Sequence, residues 1–256
     1  DTAKDDVFKA LQPAIRFTKE QCLDLPPIVH QTRTIELSPQ AAAYYRKLKR
    51  EMLIEAAGET VSAVNAAASL NKLLQISGGA VYTDNDEIVE FDITPRLNEL
   101  KSVLDEAENK VIVFVPYVHT IDMVVDFLNT QSVSCEVIKG GVSVSQRTSI
   151  IQKFQTQKDP HVLVIQPQSA SHGVTLTAAD TIVFWSPVMS VETYIQCIGR
   201  IERHGQKNRM TVVHMQGSSV EARVYSMLRG KIEDHRVIVD MYKSELEAVN
   251  SVEVEI

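Results

Sequence analysis

Arg33, Ile35 and Leu37 alternate with Thr32, Thr34 and Glu36, the period of a half-buried strand. Ser38-Pro39 follows, an N-cap with proline at the first helical position. Ala41, Tyr45, Leu48 and Met52 then recur at helical spacing, with Arg46, Lys47, Lys49 and Arg50 between them. A second helix is expected from about Val61 to Ser77, stopped by Gly78-Gly79 as a left-handed terminator. The two helices make a hairpin, after which the pattern changes.

From Thr94 onward strands and helices alternate. Thr94-Pro95 is expected to cap a helix carrying Leu97, Leu100 and Leu104. Val111–Val115 is fully apolar, as a central parallel strand should be. A helix over Ile121–Leu128 and a strand over Cys135–Lys139 come next, and Gly140-Gly141 turns the chain. Ser143 and Gln146 form a capping box for the following helix. Further strands are expected at Val162–Ile165, Thr181–Trp185 and Thr211–His214, with helices over Val191–Arg203 and from Val220 to about Tyr242. Repeated βα units predict a parallel sheet covered on both faces.

Bulk properties narrow the setting. Hydrophobic residues make up 44% of the 256 positions and charged residues 23%, an ordinary globular balance. The formal net charge of -7 argues against a dedicated nucleic-acid coat but leaves room for local basic strips. Cys22, Cys135 and Cys197 fit neither a zinc spacing nor a disulfide framework, which suggests a reducing compartment. No apolar run approaches the roughly 18 residues of a membrane span. The start at Asp1-Thr2-Ala3 suggests a piece of a longer protein, or a processed one.

The densest chemistry lies in Gln196-Cys197-Ile198-Gly199-Arg200-Ile201-Glu202-Arg203-His204-Gly205-Gln206. Gln196, Gly199, Arg200 and Arg203 stand at i, i+3, i+4 and i+7, one face of a helix. That face presents an amide and two guanidiniums, with no side chain at Gly199 to obstruct approach. Two convergent arginines suit a polyphosphate, whose oxygens accept their fork of donors.

This run resembles motif VI of superfamily 2 helicases, and its Gly205-Gln206 ending favours the SWI/SNF-like branch. Gln166–Asp180 resembles motif V, with His172 where glycine is common and Thr175 where asparagine is common. Thr181–Pro187 resembles the strand and turn before motif VI, with Trp185 read as a ring buried against the sheet. Val111–Tyr117 resembles motif IV. Lys139-Gly140-Gly141 with Arg147 to Phe154 resembles the block after it. Phe17–Pro27 is similar to the exit from a first lobe, Leu70–Val81 to a helical protrusion, and Ser219–Lys231 to the tail helix.

The resemblance implies an α/β fold: a RecA-like three-layer sandwich with a central parallel sheet and a helical-hairpin protrusion. It implies a linker over 1–28, a strand and protrusion over 29–90, the helicase C-terminal lobe over 91–245 and a tail over 246–256. It further implies that Arg200 and Arg203 act as arginine fingers, with Gln196 near the γ-phosphate and Gly173 and Gly199 close to the nucleotide. Tyr117, Lys139, Gly140, Gly141, Ser169, Ser171, His172 and Thr177 become candidate contacts to the DNA backbone. The partners implied are DNA and a first RecA-like lobe, which would hold ATP and Mg2+. The compact outline resembles bacterial and phage motors more than large eukaryotic remodellers. That points to the cytoplasm of a bacterium or infected host, or to the nucleus in a eukaryote.

No phosphate-cradling G-x-x-x-x-G-K-[ST] loop is present in this sequence. Asp105-Glu106-Ala107-Glu108 imitates a magnesium-holding box but ends a helix where such a box follows a strand. The chain alone is therefore expected not to hydrolyse ATP. Two alternatives stay open: a non-catalytic RecA-like module that docks DNA or a partner, and a lobe of an RNA helicase.

Overall fold

The computed structural model describes residues 24–56, 63–83, 85, 87–171 and 173–230, together with the single positions 6, 10 and 241. The side chains of 53–56, 63–64 and 170–171 are not among those described. Most of the expected linker, the end of the tail helix, the C-terminal tail and His172 lie outside the described residues.

Strand β1 (Ile28–Thr34) leads into α1 (Pro39–Ala56) and α2 (Ala63–Gly78). The Ser38 hydroxyl accepts the Ala41 N–H, the cap expected of Ser38-Pro39. Helix α2 stops where expected. Gly79 takes φ +122°, and its N–H returns to the Gln75 and Ile76 carbonyls. A Cβ on Gly79 would stand 2.4 Å from Ile93 Cγ2, so the turn admits no side chain. A small antiparallel hairpin follows, β2 (Ala80–Tyr82) with β3 (Ile88–Glu90).

The alternating part comprises α3 (Thr94–Glu106), β4 (Lys110–Phe114), α4 (Val118–Thr130), β5 (Cys135–Ile138), α5 (Val144–Thr156) and β6 (Val162–Ile165). A short 3-10 helix (Pro167–Ser171), β7 (Ala179–Phe184), α6 (Val191–Ile198), β8 (Met210–Gln216) and α7 (Ser219–Gly230) complete it. The Ser143–Gln146 capping box opens α5 as expected. Helix α3 is capped differently. Thr94 lies inside the first turn, and the Asp92 carboxylate takes the Thr94 N–H.

The six strands form one parallel sheet in the order β1-β8-β7-β4-β6-β5. Period-two alternation sorts their apolar side chains to two faces. Val111, Val113, Val164, Val183 and Val213 meet α3 and α4 through Leu100, Val103, Ile121, Val124 and Leu128. Ile112, Phe114, Leu163, Ile182, Phe184 and Val212 meet α2, α5, α6 and α7 on the other face. This is the three-layer RecA-like α/β fold, with the α1–α2 hairpin joined to the second face. Strand β1 runs along the whole of β8, Ile28 opposite Met210 and Thr34 opposite Gln216. It starts earlier than the alternation around Ile35 suggests, and Ile35 and Leu37 carry that alternation past its end.

Helix α6 is shorter than expected, ending at Ile198 and not at Arg203. Gly199 caps it, and Arg200 and Ile201 donate to Cys197 and Ile198 at i→i−3 spacing. The last turn tightens there and the chain leaves the helix axis. Arg203 therefore reaches its place from a turn, not from a helix face.

Candidate functional site

Parallel strands deliver the loops after them to a common edge. Tyr117 follows β4, Lys139-Gly140-Gly141 follows β5, and Gln166–Ser169 follows β6. From Ser169 the chain runs back over the sheet to the start of β7, and the turn after α6 lies against this return segment. Leu176 N–H donates to the Arg200 carbonyl at 2.8 Å. Gln206 is buried and pins the turn. Its Nε2 donates to the Ala179 carbonyl at 2.9 Å, and its Oε1 accepts the Lys207 and Asn208 N–H groups. Gly205, at φ +96°, makes the reversal just before it.

Both arginines point at the return segment. Arg203 Nε donates to the Gly199 carbonyl at 2.7 Å. Its Nη1 donates to the Gly173 carbonyl at 3.0 Å and to Thr175 Oγ1 at 3.3 Å. Arg200 Nη1 reaches the Val174 carbonyl at 3.4 Å. Residues 173, 174 and 175 thus each contribute one oxygen. Arg203 is half-buried, whereas Arg200 is only 3% exposed and its buried Nε has no partner. Burial lowers the Arg200 pKa, and the neighbouring Arg203 charge lowers it further. Among the described residues neither guanidinium pairs with a carboxylate, so neither positive charge is quenched.

The other expected site residues are distributed as follows. Gly199 and Gly173 lie in the arginine cluster, Gly173 at φ +35° with open space where a Cβ would stand. Gln196 donates to Glu192 one turn back on α6, at 2.9 Å. Thr177 is half-buried in the turn before β7. At the strand-end edge, the Gly140 N–H donates to Gln166 Oε1 at 3.0 Å, and Gly141 is exposed at φ +87°. Lys139 pairs with Asp122 at 2.5 Å. The Ser169 N–H returns to the Gln166 carbonyl, and the Ser169 carbonyl accepts Arg147 Nη1 at 3.3 Å. The Tyr117 hydroxyl donates to Asn71 on α2, and burial raises its pKa. Ser171 ends the 3-10 helix, and its side chain is not described.

Two clusters result: Gly140 and Ser169 bonded to Gln166, with Lys139 and Gly141 flanking Gly140, and Arg203 bonded to Gly199, Gly173 and Thr175, with Arg200 on Val174. Tyr117 and Gln196 are bonded into neither. Gln166 and Thr175 were not among the expected site residues, Thr175 being noted only as a departure from motif V. Their signal is position alone: Gln166 follows a buried strand, and Thr175 is a hydroxyl residue two places after a loop glycine.

Asp105 and Glu106 end α3 and pair with Lys101 and Arg33, as expected of surface acids. Among the described residues no three His, Cys, Asp or Glu side chains gather as a metal site. Nor is any helix there long and apolar enough to cross a membrane.

Sheet, return segment and arginine turn make up a RecA-like lobe, and residues 95–205 match the helicase conserved C-terminal domain. The fold is that of the C-terminal lobes of SWI2/SNF2-type ATPases. The C-terminal part of the Fun30 ATPase domain superposes with a TM-score of 0.69 at 15% identity, covering 89% of this chain and 99% of that one. The Sulfolobus solfataricus SWI2/SNF2 ATPase core in complex with dsDNA gives 0.64 at 18% identity, covering 98% of this chain and 54% of that one. An uncharacterized ATP-dependent helicase of Mycoplasma genitalium, MG018, is 28% identical over 240 residues, 91% of this chain and 23% of its own length. The chain thus spans under a quarter of that relative.

Proposed function

We propose that the chain is the second motor lobe of an ATP-dependent DNA translocase, its arginine turn facing ATP bound by a first lobe. The observation that carries this reading is the pair of guanidiniums gathered on one turn, neither bonded to an acid among the described residues. Arginines that serve structure alone tend to end on carboxylates, as Arg96 and Arg33 do here. Arginines meant for a phosphate need neutral partners that orient them and leave the charge available.

Several features fit a triphosphate. Arg203 has an exposed edge, Arg200 an unpaired buried Nε, and Gly173 and Gly199 place bare backbone beside them. Bound ATP would supply the phosphoryl chemistry, and Mg2+ belongs with the first lobe. Here Arg203 supplies positive charge at the terminal phosphate. Arg200 acts from behind it, and comes to the surface only if the 173–175 loop shifts. Gln196 lies one turn back on the same side. In related phosphoryl transfer such arginines contribute about 10³ to 10⁵ in rate.

The strand-end edge suits the DNA backbone. Gly141 and Ser169 offer exposed backbone and a hydroxyl, and Lys139 a charge once it leaves Asp122, with Ser171, His172 and Thr177 further along the chain. Contacts of this kind do not read sequence and weaken with salt. Within the chain, 1–28 would link to the first lobe, 29–90 form strand and protrusion, 91–245 the motor lobe and 246–256 a tail.

One observation favours the non-catalytic alternative, the near-complete cover over Arg200. The decisive experiment is Arg203→Ala in the full-length protein. DNA-stimulated ATPase should fall by about 10³ or more while nucleotide binding persists. Wild-type turnover in that variant would leave the scaffold reading in possession.

A further inference from the structure

We infer that Thr175 is a positioning residue for Arg203, setting the direction in which its guanidinium faces the cleft. The inference rests on the function proposed above. Arg203 is held through Nε and Nη1 by three oxygens, and two of them, Gly199 and Gly173, are backbone carbonyls. Thr175 Oγ1 is the one side-chain acceptor among them. The guanidinium is a rigid plane with five N–H donors, so fixing two of its nitrogens fixes where the third points. With Nε engaged by the Gly199 carbonyl and Nη1 by Gly173 and Thr175, Nη2 is left without an acceptor among the described residues.

The chemistry of the acceptor matters as much as its place. Arg203 lies close enough to Arg200 to disfavour the charge of Arg200. A carboxylate at position 175 would relieve that repulsion, but it would also neutralise the charge a phosphate needs. A hydroxyl accepts the hydrogen bond and leaves the charge whole. Thr175 is itself exposed, so removing its hydroxyl opens no void and orphans no buried group. Its substitution should therefore touch the arginine before it touches the fold.

The test is steady-state DNA-stimulated ATPase of the full-length protein carrying Thr175→Val or Thr175→Ser. Valine keeps the shape and loses the acceptor; serine keeps the acceptor. We expect Thr175→Val to lower kcat about tenfold, the scale of one hydrogen bond to a charged group. The KM for ATP should stay within about twofold, the melting temperature should not move, and Thr175→Ser should restore near wild-type kcat. The inference is overturned if Thr175→Val turns over like wild type, or if Val and Ser fall together. Arg203→Ala, run alongside, separates the two layers. If it is inactive while Thr175→Val is not, only the positioning role fails; if it is active, the motor reading fails as well.

Discussion

Arg96 and Glu221 form a buried ion pair between α3 and α7, with side-chain exposures of 3% and 0%. Arg96 Nη2 donates to both carboxylate oxygens, at 3.0 and 2.8 Å, while Nη1 donates to the Trp185 carbonyl. Glu221 also accepts the Gly217 N–H at 2.6 Å. Glu221→Ala strands a guanidinium out of water and leaves that N–H without its partner. Breaking one side of a buried pair costs about 3–5 kcal/mol. That is a large share of the roughly 5–15 kcal/mol by which a domain is stable. For a chain of this size it lowers Tm by about 10 °C. Calorimetry or denaturant titration of the chain reads this directly. The doubly apolar variant Arg96→Met with Glu221→Leu should recover part of the loss, because no lone charge remains buried. Recovery stays incomplete, since the Trp185 carbonyl and the Gly217 N–H still lose their partners. A Glu221→Ala midpoint indistinguishable from wild type would refute the reasoning.

His214 carries a pH prediction. Burial first, then the nearby positive groups of His30 and Arg229, depress its pKa to about 3. Between that value and about 6.5 the unfolded chain takes up a proton that the folded one refuses. Stability should therefore be complete above pH 6.5 and decline below it by about 1.4 kcal/mol per pH unit. His214→Gln should flatten that limb in denaturant titrations from pH 7 to 5, and an unchanged slope would exclude His214 as its source. Gln206→Ala should free the turn from the start of β7 and orphan the Lys207 and Asn208 N–H groups. We expect a loss of about 2 kcal/mol and a fall in DNA-stimulated ATPase of the full-length protein. Full turnover in Gln206→Ala would show that the turn holds its arginines without this amide.

The βα alternation could be read from the sequence because each strand and helix announces itself locally. Val162–Ile165 is a short apolar run, Ser143 and Gln146 cap α5, and Gly79 stops α2. What could not be read depends on partners far along the chain. Nothing near Arg96 points to Glu221, and nothing near Ile28 points to Met210. The β2–β3 hairpin is missed because three residues are too few to show a period. Helix α6 is shorter than the spacing predicts because Arg203 keeps helical spacing after the backbone has left the helix. A helix face and the observed turn would both bring the two arginines toward one side. Their carbonyl partners at Gly173 and Val174 carry no sequence signal at all.

Strand β1 has β8 as its sheet neighbour along its full length, so among the described residues the first strand of the sheet is zipped to the last. On a ribosome Ile28–Thr34 emerges long before any strand able to bond it, and that border of the sheet cannot close until Gln216 is free. Such distant pairing makes for slow completion. The lobe is thus assembled from its middle outward, and a chain cut short before β8 would keep the αβ centre yet leave its first strand hanging as an open template for other chains.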